Sequence, residues 1–399
     1  MTEQTVRELL DLLLRWVHLI AGIMWIGNSL LFNWLDRSLI RDTTAGERHV
    51  GRIWLLHSGG FYDVEKKFLA PSEMPRVLHW FKWQAYTTWM TGFALLTLLY
   101  WTGGAPLMVD REIAQLTPGQ AVHIGVGVVF GGWVVYDVAW RLLGRFEAVA
   151  SALSLAMLAG IIWALTHLLS GRAAFIHVGA LLGTLMAGNV AMHIVPSQRK
   201  LVAATQEGRA QDRRHSDHAK QRSIHNNYMT FPLLFTMLSN HFSLIYGSPW
   251  SGVLLGVLFV GGALARHWLN TRFTFRRWLP ALAGTVVATV GLVAFVVTRP
   301  TGREVSAVPG APPVAYASVQ FVLQQRCLPC HSDHPTILTN PPAPAGVRFG
   351  KPEEVDMWRE RIKARVVVTR SMPLNNMTGM TNEERDTIAT WLSQGAPTR

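Results

Sequence analysis

The sequence predicts an all-α fold in two parts, a transmembrane bundle of eight helices followed by a small helical module. Three observations lead there. Hydrophobic residues make up 49% of the chain and charged residues only 16%, too apolar a balance for a soluble protein of this size. Eight apolar stretches are each long enough for a hydrocarbon core that takes roughly 20 residues to cross. Beyond residue 314 the composition turns soluble and carries the only 2 cysteines of the chain.

The stretches fall near 9–35, 77–101, 119–142, 147–169, 172–195, 225–247, 249–269 and 278–298. Ser170-Gly171 and Gly247-Ser248-Pro249 join consecutive stretches so tightly that the neighbours must run antiparallel. Met1–Asp11 lacks the basic start of a secretory signal, so the first stretch reads as a retained anchor. Lys and Arg number seven in 36–76, one in 102–118, two in 141–146, one in 170–172, seven in 196–224, none in 247–249 and three in 270–277. Basic loops face the cytoplasm. The odd loops therefore lie inside, and both termini lie outside. The 16 Trp and net charge of +12 fit a membrane protein with interfacial aromatics and basic inner loops. The charge is spread between apolar segments rather than gathered in one patch, which argues against nucleic-acid binding.

Residues 299–314 form a Pro/Gly-rich linker between a domain at 1–298 and one at 315–399. In the second domain, Ala315–Arg326 reads as a helix. Thr381 and Glu384 form a capping box for a last helix that runs to about Gln394 and stops at Gly395. Between them lies Cys327-Leu328-Pro329-Cys330-His331. C-x-x-C-H is the attachment signature of a c-type haem, with the thiols bonded to the porphyrin and the imidazole on the iron. A redox C-x-x-C needs a βαβ setting, and a zinc site needs more thiols or paired histidines. The module therefore reads as a class I-type monohaem cytochrome c. Met372, followed by Pro373, is the expected second iron ligand, ahead of Met377 and Met380. In bacteria this haem is attached outside the cytoplasmic membrane, where the loop charges also put it. The expected location is the bacterial inner membrane, with the N-terminus and the haem domain on the periplasmic side.

The bundle is more polar than an anchor requires, and ionisable groups at membrane depth are costly. Taken singly, each is more often an interhelical contact than a ligand. His18, His123, His177 and His241 lie toward the outside and are candidate ligands of a bridging b-type haem. Toward the cytoplasm, Asn28, Asn33, Gln84, Asn189, Asn226 and Asn227 supply amides for a flat polar anion, and Lys82 supplies charge. His193 and His225 are candidate proton acceptors. The long inner loops, including His57-Ser58-Gly59-Gly60-Phe61-Tyr62, exceed simple connectors.

Several of these segments together resemble the membrane-bound, cytochrome c-containing urate oxidases of bacteria. They are Trp16-x-His18, Trp25-Ile26-Gly27-Asn28, His57 through Tyr62, Leu78-His79-Trp80-Phe81-Lys82-Trp83, Met186 through Val190, Ile194 through Lys200 and Arg222 through Tyr228. The resemblance covers nearly the whole chain. It implies oxidation of urate to 5-hydroxyisourate, with electrons leaving through haem c to a respiratory-chain acceptor such as a soluble cytochrome c or a terminal oxidase. Read from composition and spacing alone, the chain is a membrane haem c oxidoreductase. The competing reading is a quinol- or partner-linked electron-transfer protein with no metabolite substrate.

Overall fold

The computed structural model describes residues 3–41, 48–299, 312–337 and 343–398. Eight helices occupy the region of the eight apolar stretches: α1 (Glu3–Ser38), α2 (Trp83–Leu96, continued by a π turn at Thr97–Trp101), α3 (Pro118–Leu143), α4 (Glu147–Leu168), α5 (Gly171–Gln206), α6 (Arg213–Leu238), α7 (Ser251–Thr271) and α8 (Trp278–Val297). Six of them, all but α2 and α6, are long and apolar enough to cross a membrane. The fold is that of a multi-pass membrane protein.

The two exceptions differ from expectation for local reasons. The stretch 77–101 stays irregular up to Lys82, so its helix is short. The stretch 225–247 belongs to a helix that starts earlier, at the Asp212 cap, and stops earlier, where a 3-10 turn at Ser239–His241 breaks it. Its added first turns are polar, which lowers its mean hydropathy. Helix α5 is the central one. It buries residues on all sides, including Phe175, His177, Leu181, Leu182 and Asn189, whereas α8 has no buried residue. Pro196 follows a π turn at Val190–Ile194 inside α5. A proline has no N–H for the residue four back and crowds its carbonyl, so the helix widens there rather than breaking.

The expectation of a purely helical chain needs correction in the loop between α1 and α2. Residues His49–His57 (β1) and Gly60–Lys67 (β2) form an antiparallel hairpin. Its two-residue turn has Ser58 at φ 51° and Gly59 at φ 75°, the positive pair that lets a tight turn match the twist of the strands.

In the C-terminal module, α9 (Tyr316–Arg326), α10 (Pro352–Ile362) and α11 (Asn382–Ser393) surround a core of their own that includes Val319, Leu323, Val355, Ile388 and Trp391. The capping box forms, with Thr381 Oγ1 accepting from Glu384 N at 3.2 Å and Thr381 N donating to Glu384 Oε2 at 2.8 Å. Gly395 ends the helix at φ 89°. Arg326 pairs with Glu384 at 2.9 Å and ties α9 to α11. Of the expected linker, residues 300–311 lie outside the described residues. The module rests on the end of the bundle that carries the 102–118 and 247–249 connections. There Asn375 Nδ2 donates to Pro106 O at 2.9 Å, and Arg385 pairs with Glu112 at 2.7 Å.

Candidate functional site

At the other end of the bundle, three helices bring polar side chains together. Helix α6 offers Arg222, His225 and Asn226, spaced at i, i+3 and i+4 on one face. Helix α3 offers Tyr136, Asp137 and Trp140, and α5 offers Asn189 and His193 around its π turn. Asn189 Nδ2 donates to Asn226 Oδ1 at 2.9 Å and to Tyr136 Oη at 3.2 Å. Tyr136 Oη and His225 Nδ1 share a hydrogen bond of 2.7 Å. Asn226 Nδ2 is held by Met186 O at 3.0 Å. His193 Nε2 meets Asp137 Oδ1 at 2.5 Å, and its Nδ1 meets His218 Nε2 at 2.9 Å.

Arg222 sits in the middle of this network with 0% exposure. One guanidinium nitrogen donates to Asn189 Oδ1 at 3.3 Å, and another lies 3.6 Å from Asp137 Oδ1. Its plane stands 5.3 Å from the Tyr136 ring. Nε has no hydrogen-bond partner among the described residues, so the cation keeps spare donor capacity in a dry setting. Asp137 is shared with Arg141 at 2.6 Å. Beside the network opens a cavity of about 420 Å³, lined by Trp140, Lys220, Gln221, His225 and Tyr228 among others, a volume in the range of small-molecule sites. His225 is on its wall; with Nδ1 engaged by Tyr136, Nε2 is the nitrogen left for a ligand.

Of the residues singled out in the sequence, this network unites His193, His225, Asn189 and Asn226. It also takes in Arg222, Tyr136 and His218, which had not been singled out as site residues. The i, i+3, i+4 spacing of Arg222 with His225 and Asn226 was the available signal. Asn227 belongs to a neighbouring group, accepting from Arg266 Nε at 2.9 Å and Asn270 Nδ2 at 2.6 Å. Lys82 lies between the rings of Trp80 and Trp83, at 5.7 and 5.8 Å. Gln84 keeps a buried Oε1 without a partner among the described residues. Asn28 and Asn33 are half-buried on α1, and neither hydrogen-bonds to the network among the described residues.

The outer histidines are scattered. His18 Nδ1 is held by Thr88 O at 2.9 Å, and its ring covers Gly92, where a Cβ would come within 2.8 Å. His177 is fully buried with both nitrogens engaged, Nδ1 by Ala173 O at 2.7 Å and Nε2 by Trp101 Nε1 at 3.0 Å. It packs on Gly125, where a Cβ would fall 2.6 Å from it. His123 and His241 are exposed. His18 and His177 pack directly on neighbouring backbone at Gly92 and Gly125, so these two rings as placed leave no porphyrin-wide gap.

The donor set in the C-terminal module does fit a c-type haem. Cys327 follows α9 directly, and His331 N bonds back to Cys327 O at 2.8 Å, which turns the motif into one compact loop. His331 Nδ1 is held by Val347 O at 2.9 Å. That bond fixes the tautomer and leaves Nε2 for iron. No three His, Cys, Asp or Glu side chains of the described residues are close enough to hold one metal ion. Met372 lies against the module core, while Met380 is buried within it at 3% exposure. Burial pushes the Cys327 thiol up to about 12 and the Cys330 thiol up as well.

Fold and site together define a helical membrane protein with a buried polar network in its bundle and a compact module bearing a Cys-x-x-Cys-His loop. The chain belongs to the Urate oxidase N-terminal family, whose model matches residues 4–298. That family relation makes it a urate-related protein of the oxidoreductase class. No curated protein and no solved structure matches the chain.

Proposed function

We propose that the protein is a membrane-bound urate oxidase that converts urate and water to 5-hydroxyisourate, releasing two electrons and two protons. The observation that carries this reading is His225 on the wall of the 420 Å³ cavity, backed by Tyr136, Asn189 and the buried Arg222. A flat purine anion suits that cavity. Trp140 and Tyr228 offer ring faces and Lys220 a positive charge, while the carboxylates of Asp217 and Glu147 also line the cavity, Glu147 Oε1 accepting from Gln221 Nε2 at 2.8 Å. The unspent donors of Arg222 favour negative charge close by, where low dielectric makes the field strong. His225 Nε2 accepts a proton from bound urate, and the electron-rich dianion is then oxidised while water adds at C5. His193 stands behind the wall, where with Asp137 it holds Arg222 and leads toward His218.

Cys327 and Cys330 would bind haem covalently, and His331 Nε2 and Met372 would hold its iron. Such a haem takes up one electron at a time at a potential raised by the thioether. The acceptor beyond it is a respiratory-chain component on the outer side. Helix α5 rises roughly 33 Å from Gly171 to His193, so electrons cross most of the bundle. Contacting aromatic rings lie along that route. Trp89 stacks on Phe93 at 5.6 Å, Phe93 meets Trp101 at 5.7 Å, and Trp101 donates to His177.

The test is a visible spectrum of purified membranes before and after urate. Reduction of a c-type α-band by urate, lost in His225→Gln, is the expected result. A band that quinol reduces and urate does not would instead make the protein an electron-transfer module without a metabolite substrate.

A further inference from the structure

Arg385 is 1% exposed, in a module whose core cluster consists of Val, Leu, Ile, Met, Cys, Ala and Trp side chains. Burying a guanidinium in that setting is costly unless its charge is paired and its donors are used; here Nη1 and Nη2 are used and Nε has no partner among the described residues. Nη1 donates to Val366 O at 2.7 Å and to Met372 O at 2.8 Å. Those carbonyls stand at either side of the 367–371 loop, so one nitrogen pins both ends of the segment that presents Met372. Nη2 donates to Glu112 Oε1 at 2.7 Å, across 273 residues of sequence. Glu112 is the one carboxylate within ion-pair reach of Arg385 among the described residues. The module's own Glu384 is committed to Arg326. Glu112 also faces Arg370, from the same loop, at 3.7 Å. Its backbone is fixed in turn, with Glu112 N donating to Asp110 Oδ1 at 3.0 Å.

The counter-ion of the module's buried cation is therefore supplied by the membrane bundle. We propose that Glu112 is a positioning residue for Met372: docking the module on the bundle completes the Arg385 pairing, and that pairing sets the loop carrying the sulfur. The inference rests on the haem reading given above for Cys327, Cys330, His331 and Met372. It goes beyond that reading in making the sixth-ligand side of the haem site depend on a residue of the bundle. Met372 ligation and docking are then one event, and the potential of the electron exit is tuned by contact with the domain that feeds it.

The experiment uses the full-length protein in detergent, as parent, Glu112→Gln and Glu112→Asp. Glu112 lies on a surface turn, so the variants keep both cores. Two readouts are taken. One is the far-red charge-transfer band of methionine-ligated ferric haem together with the midpoint potential. The other is amide hydrogen exchange over residues 366–376. In Glu112→Gln we expect covalent haem to be retained, the far-red band to weaken or vanish, the potential to fall, and exchange over 366–376 to quicken roughly tenfold or more. Glu112→Asp should recover part of each. An unchanged band and unchanged exchange in Glu112→Gln would overturn the proposal. A parent protein without covalent haem would overturn the haem reading and the ligand-positioning role with it, while the exchange comparison would still decide whether the clamp holds the loop.

Discussion

Tyr136 Oη and His225 Nδ1 lie 2.7 Å apart, and the same hydroxyl accepts from Asn189 Nδ2 at 3.2 Å. In the neutral tautomer whose Nδ1–H donates to this tyrosine oxygen, Nε2 is left unprotonated and can serve as the base. Replacing His225 by Gln removes the base and should lower urate turnover by about 10²–10⁴-fold. Tyr136→Phe keeps the base but frees its tautomer, and a fall of roughly tenfold is expected. Urate-dependent oxygen uptake by membranes measures both. Turnover of His225→Gln within twofold of the parent would remove His225 from the reaction.

Asp137 is the carboxylate shared by His193, Arg222 and Arg141. Asp137→Asn strands Arg222, a cation with no exposure. Breaking a buried pair in this way costs about 3–5 kcal/mol, which should appear as a clear loss of thermal stability in detergent. Adding Arg222→Met removes the stranded charge as well, and the double variant should be more stable than Asp137→Asn alone. A double variant that is worse by the sum of the two single losses would mean that the two residues act independently.

Much of this was legible in the sequence because it depends on local chemistry. Helix positions followed from runs of apolar residues, and the capping box at Thr381 followed from two residues three apart. The Cys-x-x-Cys-His loop followed from spacing alone. What could not be read were contacts between distant segments. Asn189 and His193 were visible as polar residues at membrane depth, but their partners Tyr136, Asp137 and His218 come from helices far along the chain. The start of α6 at Arg213 was missed because its first turns are polar, and hydropathy registers only the apolar part of a helix. The hairpin at His49–Lys67 was missed because its exposed strands bury too little to leave a clean alternation.

Under the proposed function, electrons leaving the cavity run toward the end of the bundle that carries the module, where Trp101 bridges Phe93 and His177. Trp101→Leu removes the ring contact and leaves the Nε2 of a buried imidazole without its donor. Under the proposed function, the rate at which urate reduces the haem should fall while urate affinity and haem potential stay unchanged. Rapid-mixing absorbance follows the first quantity, and equilibrium titrations follow the other two. An unchanged reduction rate would place the electron route elsewhere.

The two thiols of the Cys-x-x-Cys-His loop sit in different surroundings. Cys327 is 8% exposed and packs in the core, and burial pushes its thiol up to about 12. Cys330 is only half-buried, with a smaller upward push. A thiol reacts as its thiolate, so at pH 8 about one Cys327 in ten thousand is reactive. Raising the pH toward 12 increases that fraction tenfold per unit. In protein made without haem attachment, iodoacetamide at pH 8 should therefore label Cys330 first and Cys327 far more slowly, with the difference shrinking as pH rises. In protein made where c-type haem is attached, neither residue should label, because both sulfurs are held in thioethers. Mass spectrometry of the peptide containing residues 327–331 separates the cases. Equal labelling of both residues at pH 8 would contradict the buried position of Cys327, and labelling of both in haem-competent cells would contradict covalent attachment.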